Sequence, residues 1–374
     1  MRASAVAGIV FANTNDNFLK KLTAHRSMAS VPFGARYRLI DFPLSNLVNA
    51  GVTTVGIIPK EKYRSLMDHV GSGIPWELDR KNGGLYLLPP YQTSGMKRYN
   101  GTVDALYGAK DYLIRCNSEY VVLCDADVLA NVDISAAVKN HIDNEADISI
   151  VYHSGVLSPA DDPKETMLLK LNSENKVTAI SFDPEAEINT AYSIGITILS
   201  RKLLTKLVAD AYDNDLVSLN RDVIAKKLKS LKVIGFEHKE YVTLMNSTHS
   251  YYKASMDLLN NDVRRQLFNK NRPVFTKTRD DMPTRYGTKA NVKNCFIADG
   301  CVINGTVKNS ILFRGVHIEK GAVVENCILM QETSVGSDAT LSNVIADKNA
   351  VIGEGMILKG TEKKHFFVKK NQIV

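Results

Sequence analysis

The sequence predicts an α/β domain followed by a parallel β-helix, and the patterning of its apolar residues supports both parts. Short apolar runs alternate with helical patterns over residues 1–260, which is typical of a sheet covered by helices on both faces. From residue 291 to 374, aliphatic residues recur at five- or six-residue spacing with turn-forming residues between them. This period indicates hexapeptide repeats of a β-helix. Residues 261–290 are polar, contain two prolines and are predicted to connect the two domains.

The first domain contains seven predicted strands, and we expect its sheet to be largely parallel. The strands are Ala5–Phe11, Thr54–Ile58, Tyr120–Cys124, Ile148–Tyr152, Met167–Leu171, Ser193–Leu199 and Leu231–Phe236. Between them lie the predicted helices Pro43–Ala50, Thr102–Ile114 and Ser135–Asn144, with Thr102 and Asp133 at helix N-cap positions. Because ligands of such sheets bind at the carboxyl ends of strands, the loop 13–17 and residues 125–127 are predicted to share one edge.

In the second domain, each short strand is predicted to point one aliphatic residue inward. An ordinary meander would instead alternate with period two and place hairpin turns between strands. The predicted inward residues are Val292, Ile297, Val302, Val307, Val335, Leu341, Ile345, Val351 and Ile357.

Composition narrows the function classes. The net charge of +7 comes from 47 basic and 40 acidic residues and fits anionic small-molecule ligands. The sequence contains no dense basic patch with interleaved aromatic residues, so nucleic-acid binding is not predicted. The basic stretch 361–370 is interpreted as a solvated or partner-contacting end. Five cysteines without metal or redox spacing predict reduced thiols and a cytoplasmic protein. Neither a signal peptide nor a membrane span is predicted.

Four stretches resemble one enzyme family, the ADP-glucose pyrophosphorylases. They are VPFGARYRLIDFPLSNLVNAG from Val31, YNGTVDAL from Tyr99, SIGITIL from Ser193 and INGTVKNSILFRGVHIEKGAVVENCILM from Ile303. The resemblance implies a Rossmann-like, GT-A-like nucleotidyltransferase domain and a left-handed β-helix. It also implies the reaction of ATP with glucose 1-phosphate to give ADP-glucose and pyrophosphate, with magnesium. Tetramers, sugar-phosphate effectors and a place in glycogen synthesis are further implications.

The phosphate-binding loop of that family is altered in this chain. The family carries G-G-x-G-T-R-L and then R-A-K-P before V-P-F-G. The glycine positions become Asn13, Thr14 and Asp16, the arginine becomes Phe18, and the lysine becomes Met28. Side chains now stand where backbone N–H groups approach phosphate, and two cations are lost. Each carboxylate placed roughly 4 Å from a phosphate charge near the surface costs about 4 kcal/mol before screening.

The magnesium and sugar-phosphate positions are altered as well. Asp127 matches the first magnesium aspartate of the family, but the second position is Leu244. Magnesium in proteins uses one or two carboxylates together with phosphates and water, so Asp127 could retain weak magnesium binding. The alternative is that Asp127 only caps a helix or stabilises a loop. The Glu and Lys of F-V-E-K-P become Phe182 and Asp183, so a charge-assisted bond to the sugar phosphate is lost.

Other positions keep the residues of the family. Tyr99 and Ser193 match the glucose-phosphate side, whereas Gly101, Thr102 and Asp104 match the nucleotide pocket. They are interpreted as a vestigial pocket, with structural roles such as a strand start or a helix cap as the alternative.

Two arginines match the sugar-phosphate effector site of the family. They are Arg26 and Arg36, which flank V-P-F-G. Arginine suits bidentate phosphate contacts. The alternative is that both form salt bridges at the surface.

Because the positions for ATP, magnesium and sugar phosphate are altered together, we predict that the chain has no catalytic residue. The pattern resembles a GlgD-type regulatory chain. The resemblance implies assembly with a catalytic ADP-glucose pyrophosphorylase subunit, and we expect a hetero-tetramer. The alternative is an active nucleotidyltransferase with altered substrate preference, for which Lys20 and Lys21 are the nearest replacement cations. A third class is a hexapeptide acyltransferase. It would need a histidine base, and His317 and His365 are the β-helix candidates.

Overall fold

The computed structural model describes residues 6–13, 15–90, 99–157, 166–182 and 189–374. Three residues of the predictions above, Ala5, Thr14 and Asp183, lie outside these ranges. No helix within the described ranges has the length and apolar character needed to cross a membrane.

A nine-stranded sheet organises the described part of the first domain. The strands of this domain are β1 (Val6–Phe11), β2 (Pro32–Phe33), β3 (Tyr37–Arg38), β4 (Thr54–Ile58), β5 (Gly84–Leu87), β6 (Tyr120–Asp125), β7 (Val128–Ala130), β8 (Ile148–Val156), β9 (Leu168–Leu171), β10 (Val177–Ser181), β11 (Asn189–Ser200), β12 (Val233–Glu237) and β13 (Val242–Leu244). The sheet runs in the order β10-β9-β11-β6-β1-β4-β5, and β8 pairs with both β11 and β12. All of β1 is buried, as its continuous apolar run predicts for a central strand.

The sheet is mixed, so the prediction of a largely parallel sheet is wrong for half of its described strand pairings. Within the described ranges, β1, β4, β5 and β6 pair in parallel, as do β8 and β12. Strand β11 instead runs antiparallel to β6, β8 and β9. The apolar run of β11 looks the same in sequence for either direction, because strand direction depends on the connection rather than on the strand itself.

Helices cover both faces of the sheet and lead into the second domain. The described α-helices are α1 (Asp41–Asn49), α2 (Arg64–Val70), α3 (Thr102–Gly108), α4 (Lys110–Arg115), α5 (Ile134–Asp143), α6 (Arg201–Asp213), α7 (Thr248–Asp257) and α8 (Asn261–Leu267). Asp133 caps α5 by accepting from the Ala136 N–H, which confirms that prediction. The predicted helix Thr102–Ile114 is divided between α3 and α4, and Gly101 rather than Thr102 occupies the N-cap of α3.

The second domain is a parallel β-helix with three five-stranded sheets. Its strands are β14 (Arg285–Tyr286), β15 (Asn291–Lys293), β16 (Phe296–Ile297), β17 (Val302–Ile303), β18 (Thr306–Lys308), β19 (Ile311–Leu312), β20 (His317–Ile318), β21 (Val323–Glu325), β22 (Ile328–Leu329), β23 (Ser334–Val335), β24 (Thr340–Ser342), β25 (Val344–Ala346), β26 (Val351–Ile352), β27 (Ile357–Lys359) and β28 (Phe366–Val368). Every third strand pairs in register. The first strand, β14, lies within the segment predicted to connect the domains.

Three of the predicted inward residues face outward. Val351 and Ile357 are 40% and 65% exposed, and Val302 is partly exposed. Their neighbours Ile303, Ile352 and Leu358 are the buried residues. Two adjacent aliphatic residues occupy each of these strands, so the six-residue period identifies the strand but not which of the two points inward.

An apolar interface joins the two domains. Met28, Phe33 and Tyr251 of the first domain form one buried cluster with Phe313 and Met330 of the β-helix. Since all five side chains are fully buried, the first domain covers one face of the β-helix.

Candidate functional site

A cleft of about 430 Å³ opens at the carboxyl ends of the parallel strands. This is the edge at which the sequence predicted a ligand site. Its lining includes Phe11, Asn13, Asn15, Lys60, Tyr99, Gly101, Thr102, Asp125, Phe182, Gly195 and Arg221. The cleft has the size of a small-molecule site.

The loop after β1 is closed by its own side chains. The Asn13 amide donates to Asp16 Oδ2 at 2.5 Å and to the Glu61 carbonyl at 3.0 Å, while Asn13 Oδ1 accepts from the Lys60 N–H at 2.7 Å. Asp16 Oδ1 accepts from the Met28 N–H at 2.7 Å. The described loop therefore directs its polar groups toward its own chain, whereas a phosphate loop directs N–H groups toward a ligand.

Burial has an electrostatic consequence at Asp16. Desolvation raises the pKa of this carboxyl, and the hydrogen bonds from Met28 and Asn13 partly oppose the increase. Asp16 occupies the position of a phosphate-loop glycine. Its carboxyl group therefore stands where the family has only backbone.

Asp127 is held by Asn15 of the same loop. Asn15 Nδ2 donates to Asp127 Oδ2 at 2.7 Å, and Asn15 adopts a left-handed backbone conformation with φ of 55°. Burial, together with the charge of Asp125, raises the pKa of Asp127 to about 8. A metal ion would therefore have to displace a proton to bind at this carboxyl.

The surroundings of Asp127 lack the second carboxylate of the family's magnesium site. Strand β13 pairs with β7 and places Leu244 opposite Val128, next to Asp127. An apolar side chain therefore occupies the position of the second carboxylate, partly buried against the sheet core. Among the described residues, no group of three His, Cys, Asp or Glu side chains could hold a metal ion.

Of the remaining altered positions, Phe18 and Met28 lie outside the cleft lining, whereas Phe182 belongs to it. Met28 is fully buried in the domain interface, and Phe18 is partly buried beside the loop. Phe182 lines the cleft, with the Arg221 guanidinium 4.7 Å from its ring centre. Asp183, predicted to repel the sugar phosphate, lies outside the described residues.

Three of the five retained residues line the cleft, namely Tyr99, Gly101 and Thr102. Thr102 Oγ1 accepts from the Leu219 N–H at 2.9 Å, so it ties helix α3 to the π-helical turn Leu219–Ile224. A Cβ at Gly101 would lie 2.3 Å from the Val217 carbonyl, which explains the glycine. Asp104 Oδ2 accepts from the Asn100 N–H at 3.0 Å.

The fifth retained residue, Ser193, shapes the floor of the site. Its Oγ accepts from the Gly195 N–H at 3.2 Å at the bulge of β11. Gly195 adopts φ of 68°, and a Cβ there would approach the Asp125 carboxyl to 2.8 Å. The bulge therefore lets the β11 backbone pass close beside Asp125.

The two predicted effector arginines occupy different environments. Arg26 is buried, and its Nη2 lies 2.7 and 3.0 Å from the two carboxylate oxygens of Asp347. Arg36 is exposed. The structure thus places Arg26 in an ion pair across the domain interface and leaves the Arg36 side chain at the surface.

Further cations lie at the junction between the domains, where the sequence analysis had not placed them. Burial and the neighbouring Arg38 and Arg26 lower the pKa of Lys348 to about 7. Arg314 is buried with its Nε 3.2 Å from Asp281 Oδ2. Positive charge therefore accumulates at the junction between the domains.

Lys60 and Arg221 are cleft residues that sequence reasoning missed. Lys60 follows β4, and Arg221 belongs to the π-helical turn Leu219–Ile224. The replacement cations considered from sequence, Lys20 and Lys21, do not line the cleft; Lys21 instead packs 5.5 Å from the Phe367 ring centre. Since Lys60 and Arg221 are far from the loop in sequence, their proximity could not be read from spacing.

The histidines of the third function class lie away from the cleft. His317 is exposed on β20, and the ring of His365 stacks on Tyr252 with ring centres 3.7 Å apart. All five cysteines are free in the structure, and each is buried or half-buried.

The fold and the cleft define a nucleotidyltransferase-type protein with a hexapeptide-repeat β-helix. The family described as "Nucleotidyl transferase" matches residues 17–261, and "GlmU-like, C-terminal hexapeptide" matches residues 280–374.

Similar proteins cover almost the whole chain. The "Glycogen biosynthesis protein GlgD" of Geobacillus stearothermophilus is 38% identical over 98% of this chain and 96% of the relative. The GlgD protein of Bacillus subtilis (strain 168) is 32% identical over the same shares. The "Glucose-1-phosphate adenylyltransferase" of Bacillus mycoides (strain KBAB4) is 32% identical over 94% of both chains. This chain belongs to the glucose-1-phosphate adenylyltransferase (ADP-glucose pyrophosphorylase) family, as its motifs predicted.

Proposed function

We propose that this chain is a regulatory subunit of glucose-1-phosphate adenylyltransferase in glycogen biosynthesis, with little or no activity of its own. The observation that carries the proposal is the closed loop after β1. Asn13, Asp16 and Asn15 bond to each other, to the chain and to Asp127. Transfer of an adenylyl group needs those positions to hold the triphosphate and its metal ion.

The physical argument concerns charge. Catalysis of phosphoryl and nucleotidyl transfer depends on positioning and charge neutralisation, because the protein supplies little covalent chemistry. Here Phe18, Met28 and Leu244 replace two cations and one metal-binding carboxylate of the family. Asp16 adds a carboxyl group. The substitutions all weaken the same interaction, the stabilisation of negative charge on the reacting phosphates.

A partner completes the proposal. The relatives include GlgD proteins as well as glucose-1-phosphate adenylyltransferases, which favours assembly with a catalytic subunit of the second kind, as a hetero-tetramer. In that assembly this chain activates its partner rather than transferring the nucleotide.

Regulation by a sugar phosphate belongs to the same proposal. Arg36 is exposed beside the junction at which Arg38, Lys348 and Arg314 concentrate positive charge. A phosphate group bound at this junction would neutralise part of the positive charge of the buried groups, which water does not solvate. We expect Arg36→Gln to weaken activation of the hetero-oligomer by a sugar bisphosphate, measured as a higher half-saturating concentration.

The second candidate function is an active nucleotidyltransferase with altered substrate preference. It is favoured by one observation, the persistence of a cleft of about 430 Å³ with Lys60 and Arg221 in its lining. Assay of the purified chain with ATP, glucose 1-phosphate and magnesium tests both functions. Product formation near background supports the regulatory subunit, whereas turnover comparable to a catalytic subunit overturns it.

A further inference from the structure

A second pocket, of about 370 Å³, shares no lining residue with the cleft. It lies between α1, the start of α5 and the segment that follows α8. Asn46 and Asn49 belong to α1, Ser135 to α5, and Asn269 and Asn271 to the segment after α8. The volume is within the range of small-molecule sites. Amide and hydroxyl side chains from three elements therefore line one pocket.

The charged groups of this second pocket are paired with one another. Arg272 Nη2 lies 2.5 Å from Glu240 Oε2, and Arg272 Nη1 lies 3.9 Å from Asp133 Oδ2. Arg272 Nε donates to Asn131 Oδ1 at 3.0 Å. Since the guanidinium already has these partners, the described lining offers no spare cation for a phosphate or carboxylate ligand.

Hydrogen bonds hold the wall that the segment after α8 forms. Asn131 Nδ2 donates to the Arg272 carbonyl at 2.8 Å. Asn49 Nδ2 donates to the Pro273 carbonyl at 3.0 Å. These bonds fix the segment to the chain before α5 and to α1. A ligand that binds against a fixed wall loses less free energy to ordering of the protein.

Other polar groups of the same lining are unpaired. Among the described residues, none bonds to the side chains of Ser135 and Asn271, to Asn269 Nδ2 or to Asn49 Oδ1. Asn269 Nδ2 donates and Asn49 Oδ1 accepts, whereas a serine hydroxyl does both. A ligand hydroxyl can also do both, and Ala50 adds an apolar surface beside these groups. The combination matches a sugar ring, which carries hydroxyls at its rim and C–H groups on its faces.

We propose that the second pocket binds a hexose unit of a neutral oligosaccharide through Ser135, Asn269 and Asn271. Such a ligand needs neither a metal ion nor a spare cation, and its hydroxyls satisfy donors and acceptors that the chain leaves unpaired. A short oligosaccharide and a chain end of a polysaccharide share this chemistry. The choice of a glucan as the ligand rests on the proposed function in glycogen biosynthesis, whereas the uncharged character of the ligand follows from the pocket.

Isothermal titration calorimetry of the full chain with maltotetraose tests the inference, and native electrophoresis in gels that contain glycogen tests the polymer. Ser135→Ala, Asn271→Ala and the double variant are used, because neither side chain has a partner among the described residues. Lys270→Gln is the matched control, since Lys270 is exposed between Asn269 and Asn271 but does not line the pocket. Thermal unfolding of each variant checks that the fold is retained.

We expect maltotetraose to bind once per chain, or glycogen alone to retard the chain if the polymer is the ligand. Each alanine variant should weaken that binding about threefold to tenfold, and the double variant more. The Lys270→Gln variant and added salt should leave the binding of an uncharged ligand unchanged.

Absence of binding by both probes, equal binding by the wild-type chain and the double variant, or a loss of binding in Lys270→Gln would overturn the inference. Activation of a catalytic subunit is measured separately on the same preparation. Failed activation contradicts the proposed regulatory function, whereas failed glucan binding with activation intact contradicts only the present inference.

Discussion

The cleft and the domain interface share one segment of chain, residues 13–28, and differ in what that segment contributes to each. At the cleft, Asn13, Asn15 and Asp16 use their polar groups on the chain itself. At the interface, Arg26 and Met28 are fully used in packing and ion pairing with the β-helix. This segment therefore packs against the β-helix through Arg26 and Met28, while the polar side chains of its first part bond within the first domain.

The largest effect is expected from restoring the lysine of the family at position 28. Met28→Lys would place an ammonium group in the fully buried interface cluster, where the pKa of a lysine falls by several units. We expect the free energy of unfolding to decrease by about 5 kcal/mol, measured by urea denaturation. Met28→Leu is the control, with a cost below about 1.5 kcal/mol. A Met28→Lys protein that is stable and gains ATP binding would show that this position faces the cleft.

The buried ion pair gives the next largest effect. Arg26→Met leaves Asp347 buried without its cation, which we expect to cost about 3–5 kcal/mol in the free energy of unfolding. Changing both residues, as Arg26→Met with Asp347→Leu, should recover most of that loss because neither member of the pair is left as an unpaired buried charge. If the single variant loses less than about 1 kcal/mol in urea denaturation, the ion pair does not hold the domains together.

Acid should weaken the interface through His365. Burial, with a smaller contribution from His249, lowers the pKa of His365 to about 4, while its unfolded pKa is about 6.5. The unfolded chain therefore binds the proton first, and the contribution to stability is complete above pH 6.5 and decreases as pH falls toward 4.

His365→Phe isolates this contribution, because the phenyl ring can still stack on Tyr252 but cannot titrate. We expect the wild-type chain to lose about 1–2 kcal/mol more than His365→Phe between pH 7 and pH 4, allowing for solvent screening of the half-exposed ring. Parallel pH profiles of the two proteins in urea denaturation would contradict this prediction.

The smallest effect is expected at the cleft. Asn15→Ala removes the hydrogen bond to Asp127 and leaves a left-handed backbone without an amide side chain, at a cost of about 1–2 kcal/mol. Asn15→Gly removes the same bond but adopts this backbone freely, so it should cost less. Thermal unfolding compares the two variants. Equal losses would show that backbone strain contributes nothing here, and ATP binding by Asn15→Gly would show that this one bond keeps the loop from binding phosphate.

Local patterns predicted much of the fold. The six-residue period identified the β-helix, and the run Thr54–Ile58 matches strand β4 at both ends. Strand direction was missed at β11, because it depends on connections between elements. The inward residue was missed at Val302, Val351 and Ile357, because adjacent aliphatic residues fit the period equally well.

The candidate site was predictable only in part. Comparison with the motifs of the family identified the altered loop, and the structure adds that Asn15 binds Asp127. Lys60 and Arg221 were not predicted, because they belong to elements that are distant in sequence and meet at one cleft only in the folded structure. The burial of Arg26 was missed for the same reason, since its partner Asp347 lies 321 residues away.

Titration of this chain into a fixed amount of a catalytic glucose-1-phosphate adenylyltransferase subunit tests the proposed regulatory function. We expect no ADP-glucose formation by this chain alone, and a rate that rises and then saturates as the hetero-oligomer forms. Turnover by this chain alone at a rate comparable to the catalytic subunit, or a catalytic rate that its addition leaves unchanged, would show that the chain is not a regulatory subunit.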